Sequence, residues 1–346
     1  MQLGISSFGE VAPAHVAGGD QAAAQRLQEL VALGRQADEA GLDVVAIGEH
    51  HRADYVVSAP EVVLAAIAAV TKQVRLTSAV TVLSSTDPVR TFQNFATLDL
   101  LSNGRAEIIA GRGSFIESFP LFGQDLSDYD ELYAEKLGLL LQLNEQEVIT
   151  WRGKHRAAIA GKGVYPRPLQ PKLPIWIGVG GTPASAARAG SLGLGLTIAI
   201  LGGAPAQYVG FADIFRQAAQ QAGHDPATLP LCINCHFHLA DTAQQARDEF
   251  FPAYSLVMNR IGRERGWRPM SRQQFDYLCG PEGPLFVGTP QQVADKLTYL
   301  SGIFGNTRFI GQLMLEGMPH EAIMHSTKLF GEQVAPAVRE KLGVTA

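Results

Sequence analysis

The chain has 346 residues, 46% of them apolar and 18% charged, and a net charge of −5. That balance belongs to a globular protein with a sizeable core, and the length lies within the range of one elaborated α/β barrel, for which about 250 residues are typical. Acids and bases are spread without a basic run, which argues against nucleic acid or an anionic membrane surface as partner, and no stretch approaches the roughly 20 apolar residues of a membrane-spanning helix.

Residues 1–8 enter an alternating apolar segment at once, without the basic and apolar regions of a secretory leader, so a cytoplasmic location is expected. Apolar runs at 3–8, 43–47, 74–83, 105–110, 175–179, 195–200, 231–239 and 307–314 then alternate with amphipathic stretches, the rhythm of βαβ units. Eight such runs predict a single (β/α)8 TIM barrel domain spanning 1–346. Between the first strands, Leu27, Leu30, Val31, Gly34 and Ala37 mark one face of a helix, and Val62, Leu64, Ala65, Ile67, Ala68 and Val70 mark a more deeply buried one.

Helix starts are legible. Ser58-Ala59-Pro60-Glu61 and Thr289-Pro290-Gln291-Gln292 read as capping boxes, and Asp87-Pro88 and Thr182-Pro183 place a cap residue before a proline at the first helical position. Two stretches break the rhythm. Residues 151–174, rich in Gly, Pro and basic residues, read as a hairpin or long loop, and 250–288 reads as an insertion before the last βα unit, a lid over the site.

Cys232 and Cys235 sit in a C-x-x-C-H pattern, but Leu231, Ile233, Cys235, Phe237 and Leu239 alternate as a strand does, which points the two thiols to opposite faces and away from a shared bridge, metal or haem. On the same strand Asn234, His236 and His238 share one face, which either lines the barrel lumen or satisfies buried polar groups there; the second is the preferred reading. The arginines at 260, 263, 265, 268 and 272 read as a solvated helix face.

The sharpest chemistry follows the second strand. Glu49-His50-His51 stand at its C-terminal end, where barrels place catalytic groups; a histidine can move a proton near neutral pH, and an adjacent carboxylate can orient it. The same residues admit a metal-dependent barrel hydrolase built on Glu49 and His51, although neither a His-x-His pair nor a well-spaced second carboxylate accompanies them, and metal is not assigned. Gly111-Arg112-Gly113 offers a guanidinium fork between two glycines, suited to a phosphate unless Arg112 pairs with a carboxylate such as Glu117. Gly180-Gly181-Thr182-Pro183-Ala184-Ser185 runs from a strand end into a helix N-terminus, a second anion-receiving element to which the Thr182 and Ser185 hydroxyls add donors. It lacks the third glycine and the later acidic residue of a dinucleotide fingerprint.

Taken in order, residues 40–51, Thr86-Asp87-Pro88, 98–105, Gly111-Arg112-Gly113, Tyr165-Pro166-Arg167-Pro168, 174–181 and 287–290 resemble the bacterial luciferase-like, FMN-dependent monooxygenases over essentially the whole chain. The resemblance implies a homodimeric barrel that takes reduced FMN from a separate NAD(P)H:flavin reductase and reacts it with oxygen. It assigns His50 as the active-site histidine, Arg112, Gly181, Thr182 and Ser185 as phosphate contacts, and a non-prolyl cis peptide under the flavin at Ala79-Val80. Some relatives use a deazaflavin as hydride carrier instead, which gives a dehydrogenase on the same barrel. Gly111 stands where light-emitting members have cysteine, and Gly181 where they have an acid, so light emission and an aldehyde substrate are not implied. The expected substrate is a small apolar or aromatic molecule, with Phe115, Phe119, Phe122, Tyr254, Trp267 and Tyr277 as candidate specificity residues. A catalytically silent flavin-binding protein is the reading from outside the enzyme classes.

Overall fold

The computed structural model describes residues 1–11, 19–314 and 316–343. Its strands are β1 (Gln2–Ser7), β2 (Val44–Ile47), β3 (Arg75–Ser78), β4 (Thr81–Val82), β5 (Ala106–Gly111), β6 (Val148–Trp151), β7 (Ile159–Gly163), β8 (Ile175–Val179), β9 (Gly195–Ile200), β10 (Leu231–Leu239), β11 (Phe286–Gly288) and β12 (Arg308–Gln312). The helices are α1 (Gly19–Glu39), α2 (Pro60–Ala68), α3 (Pro88–Leu101), α4 (Ser118–Leu121), α5 (Tyr129–Glu145), α6 (Pro183–Ser191), α7 (Val209–Gln221), α8 (Ala243–Arg265), α9 (Arg272–Leu278), α10 (Pro290–Phe304), α11 (His320–Leu329) and α12 (Ala335–Lys341). None of the described helices is long and apolar enough to cross a membrane.

Parallel pairing runs β1-β2-β3-β5-β8-β9-β10-β12 and returns from β12 to β1, closing an eight-stranded barrel with helices outside, as the apolar rhythm predicts. Strands covered on both sides read as continuous apolar runs, and alternation then sorts their residues. Val44, Ala46, Ile109, Trp176, Cys232 and Ile310 fill the lumen, whereas Val45, Ile47, Ile108, Ile177 and Ile233 join the larger core under the helices. Cys232 and Cys235 thus face opposite ways, free and buried, and burial pushes both thiols up, that of Cys232 to about 12.

The base of the barrel is plugged by an ion pair the sequence did not announce. Arg308 donates to Glu107 (Nη1 to Oε2, 2.6 Å) and to Gln2, lies 4.3 Å over the Trp176 ring, and is 2% exposed. Burial pushes the Glu107 carboxyl upward, but Arg308 and then Arg75 hold it below the usual carboxylate range.

Four expectations shift in detail. The run 74–83 breaks into β3 and β4 around a cis peptide at Ala79-Val80. Of the hairpin and the long loop read at 151–174 the hairpin forms, as β6 and β7, but β6 begins at Val148 rather than 151. Asp87 and Thr289 cap α3 and α10 as read, Thr289 within a complete capping box, but the box at Ser58 does not form: Ala59 is the N-cap of α2, with no side-chain cap bond. Within 250–288 the chain is largely helical, continuing α8 and adding α9 before β11.

Candidate active site

Above the lumen, at the C-terminal strand ends, lies a cavity of about 300 Å3. Its walls come from β1, β2, β4, β5, β8, β9, β10 and β12 or the turns that follow them, the face on which barrels assemble chemistry. Ten residues singled out in the sequence line it: Glu49, His50, Ala79, Val80, Gly111, Arg112, Gly113, Gly180, Gly181 and Thr182. His51 and Ser185 are not among its lining residues, nor is any residue of 250–288.

One end of the cavity is built for an anion. Arg112 leaves the end of β5 and donates to the Thr182 hydroxyl (2.6 Å) and to Asp130 (2.6 Å), while Glu117, the alternative partner weighed for it, pairs with Arg52 instead. Thr182 spends its hydroxyl as an acceptor for Arg112, which is why it makes no side-chain cap for α6 although it is the N-cap residue. Pro183 has no N–H and the Ser185 N–H is taken by the Thr182 carbonyl, so the Ala184 amide and the positive end of the α6 dipole are left without a side-chain cap next to the cavity residue Thr182. A Cβ added at Gly180 or Gly181 would meet nothing within 4 Å, so this wall is open on the cavity side. Gly113 has φ +86, a conformation glycine adopts freely, and its carbonyl accepts from the Tyr129 hydroxyl (2.8 Å). Ser185 is buried behind the turn, its backbone N–H donating to the Thr182 carbonyl.

The other end is apolar and shaped by Val80. A Cβ at Gly111 would lie 2.5 Å from Val80 Cγ2, and one at Gly178 would lie 2.7 Å from Val80 Cγ1. Glycines on β5 and β8 thus make the slot into which the cis-linked Val80 fits, giving a shelf across the lumen with Ile109 and Ile310 nearby. Glu49 braces that shelf. It is 3% exposed; one carboxylate oxygen accepts from the Val82 backbone N–H (2.8 Å) and the other bonds His51 Nε2 (2.8 Å).

His50 stands at the rim inside three aromatic rings. Phe8 stacks on it at 4.4 Å, and Tyr55 and Phe115 meet it edge-on at 4.5 and 4.7 Å. Burial drives its pKa down to about 3, against an opposing pull from Asp54, so the ring is neutral near neutral pH. His51 points the other way, toward Glu49 and the edge of Phe122, since consecutive residues of an extended chain face opposite sides.

The loop holding these residues is tied down by charge. Arg52 pairs with Asp54, Glu117 and Glu264, and Arg260 bridges Asp54 (2.8 Å) and Glu316 (2.6 Å), so α8 is tied to the loop that carries His50 through its arginine and glutamate. Arg260 is therefore part of an ion web and not of a solvated face. Of the aromatic specificity candidates, Phe115 reaches the rim; Phe119 and Tyr254 are buried in packing, and Trp267 and Tyr277 are exposed.

Sequence reasoning passed over Phe8, Tyr129, Thr197 and Gln312, which also line the cavity, and preferred a buried polar role for Asn234, which lines it too. Glu49 and His51 bond each other rather than framing a metal: among the described residues, the group of potential ligands that comes together is Asp128, Glu131 and His155, outside the cavity, where Lys154 already pairs with Glu131 (2.6 Å).

Comparisons with known proteins agree with the fold. The family model for luciferase-like monooxygenases matches residues 1–306. An N-acetyl-S-alkylcysteine monooxygenase of Bacillus subtilis is 27% identical over 311 residues, 85% of this chain and 88% of that protein. A monooxygenase from Streptomyces bottropensis superposes with a TM-score of 0.85 at 26% identity, covering 97% of this chain and 99% of the other. The oxygenating constituent of 3,6-diketocamphane monooxygenase from Pseudomonas putida, solved with FMN, shares the fold at 18% identity, with a TM-score of 0.77 and coverage of 97% and 98%.

Proposed function

Because this chain belongs to the luciferase-like monooxygenase family, we propose that it is a monooxygenase that uses reduced FMN and oxygen on a small apolar or aromatic substrate. The observation that carries this reading is one cavity with two chemically distinct ends. Arg112, Thr182, the open glycine turn and the α6 N-terminus suit a phosphate, and the Val80 shelf among apolar lumen residues suits a flat ring. When bound, reduced FMN supplies the electrons that activate oxygen.

The chain's own part is binding, orientation and exclusion of water. Arg112 and the Ala184 amide of α6 hold the phosphate, with Gly111, Gly113, Gly180 and Gly181 letting backbone approach closely. Ala79 and Val80 support the ring. Glu49 and His51 act together as a brace: by occupying both carboxylate oxygens they fix the Val82 backbone and with it the shelf. His50 is the catalytic candidate. Kept neutral in its aromatic cage, it offers one donor and one acceptor to a reacting group at the rim, and it does not act as a cationic acid. The rings of Phe8, Tyr55 and Phe115 keep that rim dry. A separate NAD(P)H:flavin reductase and a homodimeric, cytoplasmic enzyme complete the reading.

Titration of the protein with FMN, reduced FMN and a deazaflavin tests it. Binding of either FMN form well below millimolar, with oxygen uptake when a flavin reductase and NAD(P)H are added, is the expected result. Deazaflavin binding without FMN binding would make the protein a dehydrogenase on the same barrel, and no binding of any of the three would end the flavin reading.

A further inference from the structure

Strand β10 carries polar side chains at Asn234, His236 and His238, alternate residues on one face. That face is the lumenal one. Cys232, two residues earlier, packs in the lumen, and Asn234 lines the cavity. The register pairs His236 with Gln312 of β12, another cavity residue. His236 therefore stands one step nearer the mouth than Asn234 and beside Gln312, behind the residues that line the cavity and not itself one of them.

The three side chains differ in how they are satisfied. His238 bonds Glu249 (2.8 Å), and the Asn234 amide nitrogen donates to Ser6 Oγ (3.2 Å) and the Ile310 carbonyl (3.0 Å). His236 is 2% exposed, and among the described residues neither ring nitrogen has a hydrogen-bond partner. The Tyr254 ring of α8 closes over it edge-on at 5.3 Å. Burial pushes its pKa down to about 4, so the ring keeps one N–H donor and one bare acceptor. A buried donor or acceptor without a partner is destabilising, and two on one side chain beside a ligand cavity mark a group reserved for something the cavity takes in.

We propose that His236 is a specificity-determining residue, which hydrogen-bonds an oxygen carried by an otherwise apolar substrate and so selects oxygen-bearing molecules over hydrocarbons of the same shape. The inference rests on the flavin reading above and gives a role to the residue behind the β10 wall of that site. It follows the general rule that a site built around a polar contact rejects an analogue lacking it, because the site's own group is then left unpaired.

The test uses the FMN-loaded protein and pairs of probes that differ in one atom group: cyclohexanone against methylenecyclohexane, and acetophenone against α-methylstyrene. Affinities are read by displacement of flavin fluorescence changes, and 15N-histidine NMR reports which ring responds. The ketones are expected to bind about fivefold or more tightly than their hydrocarbon partners and to shift the His236 nitrogens. His236→Phe should erase the preference, His236→Gln should keep part of it through its amide, and FMN affinity should stay within about twofold in both. No preference in the wild type, a preference that survives His236→Phe, or a parallel loss of FMN affinity would each overturn the assignment. Failure of the wild type to bind FMN would overturn the flavin reading first, and is seen before any probe is added.

Discussion

Replacing Gly111 by alanine tests the shelf directly. The added Cβ would lie 2.5 Å from Val80 Cγ2, 2.9 Å from its Cβ and 3.1 Å from Cγ1, whereas ordinary carbon contacts are about 3.5–4.0 Å. Val80 must move by roughly 1 Å to restore such contacts. Its other flank is closed by β8, where the backbone at Gly178 comes so near that a Cβ there would be 2.7 Å from Val80 Cγ1. The free direction is the cavity that Val80 lines. Overpacking of this kind costs about 1–3 kcal/mol. Expressed at the ligand site, that weakens FMN by roughly 5- to 150-fold. Flavin fluorescence titration gives the number, and circular dichroism establishes that the barrel is intact. The second substitution, Val80→Gly, removes Cβ and both Cγ atoms, so Gly111→Ala with Val80→Gly should bind FMN within about threefold of Val80→Gly alone, a coupling that neighbours show and distant sites do not. Wild-type affinity in Gly111→Ala, or no recovery in the double variant, would refute the view that the two residues form one shelf.

Three further outcomes follow from the geometry. Arg112→Ala removes a charge-assisted donor set worth about 1.5–3 kcal/mol, so FMN should weaken by roughly 10- to 150-fold while riboflavin, which lacks the phosphate, binds as before; equal losses for both ligands would place Arg112 elsewhere. Acid should destabilise the apoprotein through its buried neutral histidines: the folded pKa of His236 is about 4, so the unfolded chain takes the proton first as pH falls below about 6.5, and stability is lost from there downward. That amounts to about 2 kcal/mol at pH 5 for His236, and His236→Phe should flatten the slope of melting temperature between pH 7 and 5. Glu107→Ala leaves Arg308 buried without its anion and should cost about 3–5 kcal/mol in denaturation, with FMN affinity of the folded protein unchanged because the pair lies at the opposite end of the barrel.

How much of this was legible depended on whether the signal was local. The barrel strands were, because a parallel strand buried on both faces is a short apolar run whatever surrounds it. So were Asp87 and Thr289, whose cap bonds close within three residues. Ser58 failed by one position: Pro60 fixes the first helical residue and makes Ala59 the cap, leaving the serine outside. The site divided along the same line. His50, Arg112 and the glycine turn announced themselves by standing at strand ends, while the splitting of Glu49, His50 and His51 between brace and rim was invisible in a run of three adjacent ionisable residues. Thr197, Asn234 and Gln312 converge from strands far apart in sequence, and no local pattern distinguishes a polar residue facing a ligand cavity from one satisfied in a core.

That distinction appears once partners are counted at the two ends of the barrel. At the base the charged groups answer one another, with Arg308 donating to Glu107 and Gln2 while stacking on Trp176, so this end is closed by chemistry complete within the chain. At the mouth the balance is left open on purpose of geometry: Arg112 meets an exposed carboxylate and a hydroxyl, the α6 turn has no side-chain cap, and His236 has nothing at either nitrogen among the described residues. Polar groups left so are costly in a folded protein unless a ligand completes them. The groups a ligand can complete run from Arg112, held by a hydroxyl and an exposed carboxylate, and the uncapped α6 turn at one end of the cavity to His236 behind its β10 wall, with the Val80 shelf between, so the two ends call for different partners: an anion at the first, and at the second an oxygen carried on an apolar body.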